Sequence, residues 1–139
     1  MADVKCQAEA SGRLPGRFVA WFSSVAAPAP SRLVDATGQP VNGPWFRVDG
    51  MRIVASRSAL VGTASTPLEN PINLSASRVK SGGGVWTGTR SDGSVGTLCP
   101  TGATPTTGIA ADVGPTWTDQ KVFDAKCGDT LLLYCFQVD

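Results

Sequence analysis

Apolar and polar residues alternate along this chain in short stretches, a pattern that predicts brief strands joined by loops. The clearest stretch places Phe18, Ala20 and Phe22 on one side of an extended strand, and Val19 and Trp21 on the other. Because both faces are apolar, we expect a central strand that is covered on both sides.

A helix is predicted just before this strand, over residues 4–11. Asp3 stands where a helix is usually capped, and Gly12 stands where helices usually stop. The pattern therefore places a short capped helix beside the first strand.

A hairpin is predicted in the next third of the chain. Residues 45–48 and 51–54 are largely apolar and flank Asp49 and Gly50, a pair typical of a two-residue turn between strands. A short helix over residues 57–61 is expected next, capped by Ser56 and ended by Gly62. The last apolar run, residues 130–137, predicts a closing strand.

Composition restricts the class of protein. A chain of 139 residues forms one domain, residues 1–139, with one sizeable core. Its 16 glycines and 10 prolines favour short strands and loops over a helical bundle. The net charge of +1 gives no reason to expect nucleic acid or an anionic membrane as a partner. No apolar run approaches the roughly 20 residues of a membrane span, so we expect none.

The four cysteines, Cys6, Cys99, Cys127 and Cys135, indicate the redox compartment. No two of them are closely spaced in the sequence, as zinc ligands usually are, and the chain has no histidine. Two disulfides are therefore favoured over a zinc site. Four cysteines permit three pairings, and spacing leaves them open. The start of the chain lacks the basic and apolar regions of a signal peptide. We therefore expect a secreted or cell-surface domain whose signal peptide or lipoprotein anchor is absent from this sequence.

Three stretches near the start carry a family resemblance. Residues 2–6 (Ala-Asp-Val-Lys-Cys), 14–18 (Leu-Pro-Gly-Arg-Phe) and 20–24 (Ala-Trp-Phe-Ser-Ser) resemble the opening of endostatin. They are more similar still to a bacterial family of endostatin-like exported proteins, best known as surface lipoproteins of spirochaetes. Residues 85–88 (Val-Trp-Thr-Gly) resemble the family's Trp-x-Gly strand, which places Trp86 in the core. Residues 100–108 depart from the family, which usually has a tryptophan there.

The resemblance implies an α+β fold, the endostatin-like variant of the C-type lectin-like domain. Such a domain has a twisted, mainly antiparallel sheet, two short helices and long loops. It also implies nested disulfides, Cys6 with Cys135 and Cys99 with Cys127. Endostatin's zinc site needs histidines that this chain lacks, so no metal is expected from the resemblance.

Catalysis is not expected from these residues. Without histidine there is no Ser-His or Cys-His pair, and no carboxylate pair stands in a recognisable setting. Calcium binding of the lectin type needs motifs that residues 69–71 (Glu-Asn-Pro) and 39–41 (Gln-Pro-Val) do not match, and a turn is the favoured interpretation of Glu69 and Asn70. We expect no enzyme activity and no cofactor.

Four residues are the candidate ligand contacts. Trp45 and Trp117 follow prolines in loops, and for both the favoured alternative is packing against the core. Arg90 and Asp92 follow the Trp86 strand in a turn. By resemblance, the loops between residues 80 and 117 would bind the ligand.

The predicted function is non-catalytic, adhesion-type binding of an extracellular matrix or host protein, or of a glycan. Two alternatives remain open. One is a self-associating structural module of a larger surface protein or fibre, and the other is a calcium-dependent carbohydrate-binding lectin.

Overall fold

The fold is α+β, built from short elements, in a computed structural model that describes residues 1–61, 67–99, 104–120 and 124–139. Two α-helices and six strands occur in the described residues: α1 Ala2–Ala10, β1 Phe18–Ala20, β2 Trp45–Phe46, β3 Arg52–Val54, α2 Arg57–Leu60, β4 Gly84–Trp86, β5 Thr107–Ile109 and β6 Cys135–Gln137. Two 3-10 turns cover Ala29–Arg32 and Pro115–Trp117. The strands pair antiparallel as β1–β6, β2–β3 and β4–β5.

The segment before β6 joins two of these sheets. Leu132 forms a parallel bridge with Val85 of β4. Two residues farther on, the Tyr134 carbonyl accepts a hydrogen bond from the Trp21 N–H at 2.9 Å. Residues 131–137 therefore lie between β1 and β4, and the two ends of the chain become neighbours.

Both predicted disulfides are confirmed. Cys6 of α1 is bonded to Cys135 of β6, with 5.4 Å between their Cα atoms. Cys99 is bonded to Cys127, with 5.7 Å between their Cα atoms. The first bond links the helix at the start of the chain to the strand at its end, and the second closes a much smaller loop.

The two faces of β1 behave as the alternation predicts. Val19 and Trp21 belong to the large core. Phe18 and Ala20 belong to a smaller buried cluster that α1 covers, and Phe22 packs against it. The strand is thus covered on both sides.

The position of β1 in the sheet differs from the prediction, because among the described residues a strand pairs with only one of its edges. On the other edge, Gln7 accepts a hydrogen bond from the first N–H of β1 at 2.9 Å, and Asp3 accepts one from the Ala20 N–H at 2.8 Å. Arg32 donates to the carbonyls of Ala20 and Phe22 and binds both carboxylate oxygens of Asp3. Side chains therefore satisfy this edge in place of a neighbouring strand.

This arrangement also changes the start of α1. The helix begins at Ala2, and Asp3 lies in its first turn without capping it. The prediction of an Asp3 cap is wrong because the carboxylate is used on β1 and Arg32. The helix ends before Gly12, whose φ of +74° is the left-handed conformation common after helices.

The β2–β3 hairpin forms, but its turn has three residues instead of two. Arg47 N–H donates to the Met51 carbonyl, and Gly50 N–H donates to the Arg47 carbonyl, both at 2.8 Å. Asp49 lies in the loop and forms an ion pair with the Arg47 guanidinium at 2.7 Å. The helix α2 starts after Ser56 as predicted, although no side chain caps it, and the predicted stop at Gly62 lies outside the described residues.

The large core is built around aromatic side chains. Trp21 is fully buried, with its ring centroid 5.1 Å from Trp117 and 5.7 Å from Phe136. Trp45 meets Phe136 edge-on at 5.5 Å. Burial raises the pKa of Tyr134, so its hydroxyl stays neutral and donates to the Trp117 carbonyl at 2.8 Å. These contacts connect both ends of the chain through one aromatic cluster.

Replacing Arg32 with alanine is expected to lower the free energy of unfolding by about 2–3 kcal/mol. The change leaves the carbonyls of Ala20 and Phe22 without this donor and removes the ion pair with Asp3, which keeps its hydrogen bond from the Ala20 N–H. The matched control is Arg52→Ala, which removes an ion pair with Glu69 that is about half exposed on both sides. The control should cost about 0–1 kcal/mol. Urea denaturation measures both, and equal costs would contradict a special role for Arg32.

Candidate functional site

A network of buried hydroxyl groups holds the hairpin formed by residues 88–96. Thr87 Oγ1 donates to the Thr118 carbonyl at 2.6 Å, and Thr89 Oγ1 donates to the Thr87 carbonyl at 2.7 Å. Ser23 and Thr89 share a hydrogen bond at 2.8 Å, which ties the hairpin to the segment after β1. All four side chains are fully buried. Satisfied polar networks of this kind are costly to break, so the base of the hairpin is rigid.

Two of the predicted ligand contacts lie together at the tip of this hairpin. Arg90 and Asp92 are both exposed. The Arg90 N–H donates to the Ser94 carbonyl and the Gly93 N–H to the Arg90 carbonyl, each at 2.9 Å, which closes the turn. The Ser94 hydroxyl and N–H both donate to Asp92 and hold the pKa of its carboxyl below the usual value. The tip therefore presents one cation and one firmly ionised carboxylate to solvent.

The other two predicted contacts, Trp45 and Trp117, lie in the core. Their exposed fractions are 6% and 5%. The indole N–H of Trp45 donates to the Gln137 carbonyl at 2.8 Å, and the carbonyl of Trp117 accepts the hydrogen bond from Tyr134. Burial matches the packing role that was the favoured alternative for both residues. Their rings leave almost no surface for a ligand, because they complete the aromatic cluster.

Trp86 is the tryptophan that remains partly accessible. Val85 takes the inward position of β4 and is fully buried in the large core, so alternation turns Trp86 to the opposite face. There Trp86 is half-buried and belongs to neither buried cluster. The expectation that Trp86 is a core residue is therefore met only in part, because a fraction of the residue stays accessible on this face.

Leu98 packs closely against Gly88, two residues after Trp86. A Cβ at Gly88 would come within 2.5 Å of Leu98 Cδ2. Gly88 also has a φ of +56°, a conformation that side chains other than glycine rarely adopt. The absence of a side chain at Gly88 thus leaves room for Leu98, which lines the same groove as Trp86.

A groove of about 1440 Å³ is lined in part by residues 131–137. Its lining also includes a set of apolar side chains that we call the Trp86 face: Phe22, Trp86, Leu98, Leu131 and Leu133. All five are partly buried.

Helix α1 and the second disulfide border the Trp86 face. Lys5 and Glu9 of α1 line the groove, and so do the cysteines of both disulfides. The disulfides thus cross-link segments that line the groove, which limits the conformational freedom lost on binding.

Sequence reasoning missed Trp86 as a surface residue. The signal was present in the alternation Val85, Trp86, Thr87, since a strand with one face in the core must turn its alternate residues outward. Its apolar neighbours led to the opposite interpretation. Which face of β4 is covered depends on the segment 131–137, which lies about 45 residues away in the sequence.

The residues considered for calcium are engaged elsewhere. Glu69 binds Arg52 through both carboxylate oxygens, and the Asn70 amide donates to the Arg52 carbonyl at 2.8 Å. Within the described ranges, no group of three or more acidic, histidine or cysteine residues could hold a metal ion.

Six of the eight arginines use their guanidinium groups within the fold. Their acceptors are carboxylates, a side-chain amide or backbone carbonyls. The six are Arg13, Arg17, Arg32, Arg47, Arg52 and Arg57. Arg78 and Arg90 are exposed, and their guanidinium groups have no hydrogen-bond or ion-pair partner in the described part of the chain.

No protein-family model matches this sequence, and comparison with curated proteins gives no match. In the part of the chain that the structure describes, no helix has both the length and the hydrophobicity needed to cross a bilayer. Function is therefore inferred from the site itself.

Proposed function

We propose that this protein is a non-catalytic, adhesion-type binding domain that recognises an extracellular matrix or host protein, or a glycan. The Trp86 face supplies the apolar contact, and the hairpin tip with Arg90 and Asp92 supplies polar contacts. We further propose that the fold is the endostatin-like variant of the C-type lectin-like domain. The nested disulfides and the pairing of the first and last strands support this assignment.

The partial exposure of Trp86 carries the proposal. Three of the four tryptophans are buried, and the fourth is partly exposed in a groove that Leu98 also lines. An indole ring buries a large area on contact and suits both the C–H faces of a sugar and the apolar side chains of a protein. Because the disulfides and the threonine network already hold its surroundings, little conformational entropy is lost on binding.

An oxidising extracellular location fits this function. Two disulfides close the domain, and disulfides of this kind persist outside the reducing cytosol. The calcium-dependent alternative has less support, because Arg52 engages both Glu69 and Asn70.

Replacing Trp86 with alanine is expected to weaken binding at least about tenfold, the effect of losing an interface hot spot. The measurement is binding of the labelled domain to a glycan array and to immobilised matrix proteins, with and without a calcium chelator. Val4→Ala, an exposed apolar change in α1 outside the groove, is the matched control and should bind like the unmodified chain.

Other outcomes separate the alternatives. Equal binding by the Trp86→Ala and Val4→Ala variants would refute a role for the Trp86 face. Loss of binding with chelator would favour the calcium-dependent lectin. A mass that rises with concentration in sedimentation, without any bound ligand, would favour the self-associating module.

A further inference from the structure

Four hairpins in this protein close with the same device. In each, the backbone N–H of the first loop residue donates to the carbonyl of the residue four positions later. The carbonyl of the same first residue accepts a hydrogen bond from the N–H of the residue three positions later. The fourth residue of each loop has a positive φ. The four loops start at Asp35, Arg47, Ser75 and Arg90, and the residues with positive φ are Gly38, Gly50, Arg78 and Gly93.

Arg78 is the exception in this set. Three of the loops place glycine in the left-handed conformation, where it meets no steric penalty. The fourth holds Arg78 there with a φ of +62°, and it is the non-glycine residue with positive φ in the described chain. A side chain in this conformation costs free energy that glycine would not, and such strain concentrates at functional positions.

No polar contact of the Arg78 side chain with the described residues offsets this cost. Its guanidinium group makes no hydrogen bond or ion pair with any described residue, and the same holds for the Lys80 ammonium group two residues on. Both side chains are exposed. The loop therefore holds two uncompensated cations out towards solvent.

An exposed apolar side chain stands between these cations, and two more line the same groove as it does. Val79 between them is 64% exposed, and Phe46 and Leu132 are 56% and 43% exposed. All three line the groove. The loop is joined to the Phe46 strand through Arg47, which donates to the Asn73 side chain at 2.9 Å.

We propose that these five residues, which we call the Arg78 surface, dock a segment of a partner protein that carries apolar side chains beside carboxylates. The surface consists of Phe46, Arg78, Val79, Lys80 and Leu132. Its cations match carboxylates, and its apolar side chains match aliphatic or aromatic ones. A second copy of this chain fits poorly, since a twofold contact would bring like charges together. A sulfated glycan would leave the three apolar side chains without a counterpart.

The experiment is an NMR titration of the isotope-labelled chain with three synthetic peptides. The first has the sequence Gly-Glu-Leu-Asp-Phe-Glu-Leu-Gly. In the second, amides replace the carboxylates, and in the third, serine replaces leucine and phenylalanine. The first peptide should shift the amide signals of residues 46, 75–81 and 132, and the other two should bind more weakly.

Variants at position 78 make the test independent of folding. Arg78→Gly should raise the dissociation constant about two- to fivefold, the effect of losing an exposed charge pair, while its unfolding midpoint stays equal or rises. Arg78→Asn tolerates the same backbone conformation and should lose the same affinity. Arg78→Lys should retain most of the affinity, and Arg13→Gln, an exposed cation elsewhere, should change nothing.

Several results would overturn the proposal. Among them are equal binding of the amide peptide, shifts confined to the Trp86 face, binding of a sulfated oligosaccharide in place of the peptides, and self-association abolished by Arg78→Gly. Trp86→Ala should leave peptide binding unchanged. Failure of the Arg78 surface and failure of the Trp86 face can therefore be told apart.

Discussion

Replacing Cys6 and Cys135 together with alanine should lower the free energy of unfolding by about 4–5 kcal/mol. The bond closes a loop with a sequence separation of 129, and in the chain-entropy model a loop of this size restricts the unfolded chain by about 5 kcal/mol. Since small domains are stable by only about 5–15 kcal/mol, the variant should be close to unfolding at 37 °C.

Removal of this disulfide should destabilise α1 before the rest of the domain. This helix has nine residues and no side-chain cap, and isolated helices of that length are marginal in water. It stays folded because Cys6 is bonded to β6 and because Asp3 and Gln7 bind the edge of β1. Without the disulfide, we expect α1 to open before the rest of the domain.

The matched control removes the other disulfide, with Cys99→Ala and Cys127→Ala. Its sequence separation is 28, for which the same model gives about 3.5 kcal/mol, and both cysteines are exposed. Urea denaturation gives the two free energies, and hydrogen exchange reports the protection of α1. A larger cost for the Cys99 pair, or full protection of α1 without Cys6, would contradict the closing role of the first bond.

Trp21→Ala is expected to cost about 3–5 kcal/mol, the range for truncating a large buried aromatic side chain. Trp21 is fully buried between Trp117 and Phe136. Its indole N–H also donates to Thr118 Oγ1 at 2.8 Å, so the change leaves a cavity and removes a buried hydrogen bond.

Trp86→Ala is the matched control for this second prediction. It truncates the same side chain on a strand, but Trp86 is half-buried and packs into neither buried cluster. We expect a cost of about 1–2 kcal/mol, below that of Trp21→Ala, because part of the ring is already exposed to solvent. Chemical denaturation of both variants tests the contrast. Similar losses would mean that the Trp86 face is part of the core and not a binding surface.

The alternation around β1 predicted more of the fold than any other local pattern. It correctly placed Val19 and Trp21 on one face of the strand and Phe18 and Ala20 on the other. Successive side chains of a strand point to opposite faces, so the alternation assigns each residue to one of them. The same pattern could not show that the free edge of β1 is covered by side chains. Arg32 and Asp3 are 29 positions apart, and no local rule relates them.

The exposure of the candidate ligand contacts was predicted in part. Arg90 and Asp92 are exposed at the tip, where the turn signal places them, and their role in binding stays a prediction. The tryptophans were harder, since a proline before Trp45 or near Trp117 indicates a loop but not what covers it. Burial of these rings depends on Phe136 and Tyr134, which the disulfide between the chain's two ends brings into contact.

The sequence alone predicted the alternation of β1 and the positions of the turns, because these depend on residue type and short spacing. The α+β class and the nested cysteine pairs were predicted through the family resemblance. Tertiary structure alone decided which edge of β1 needs Arg32, that Trp86 and not Trp45 remains accessible, and that Arg78 takes a glycine position beside an apolar groove. The physical reason is that the exposure of a residue depends on which distant segments pack against it. Local sequence does not specify those segments.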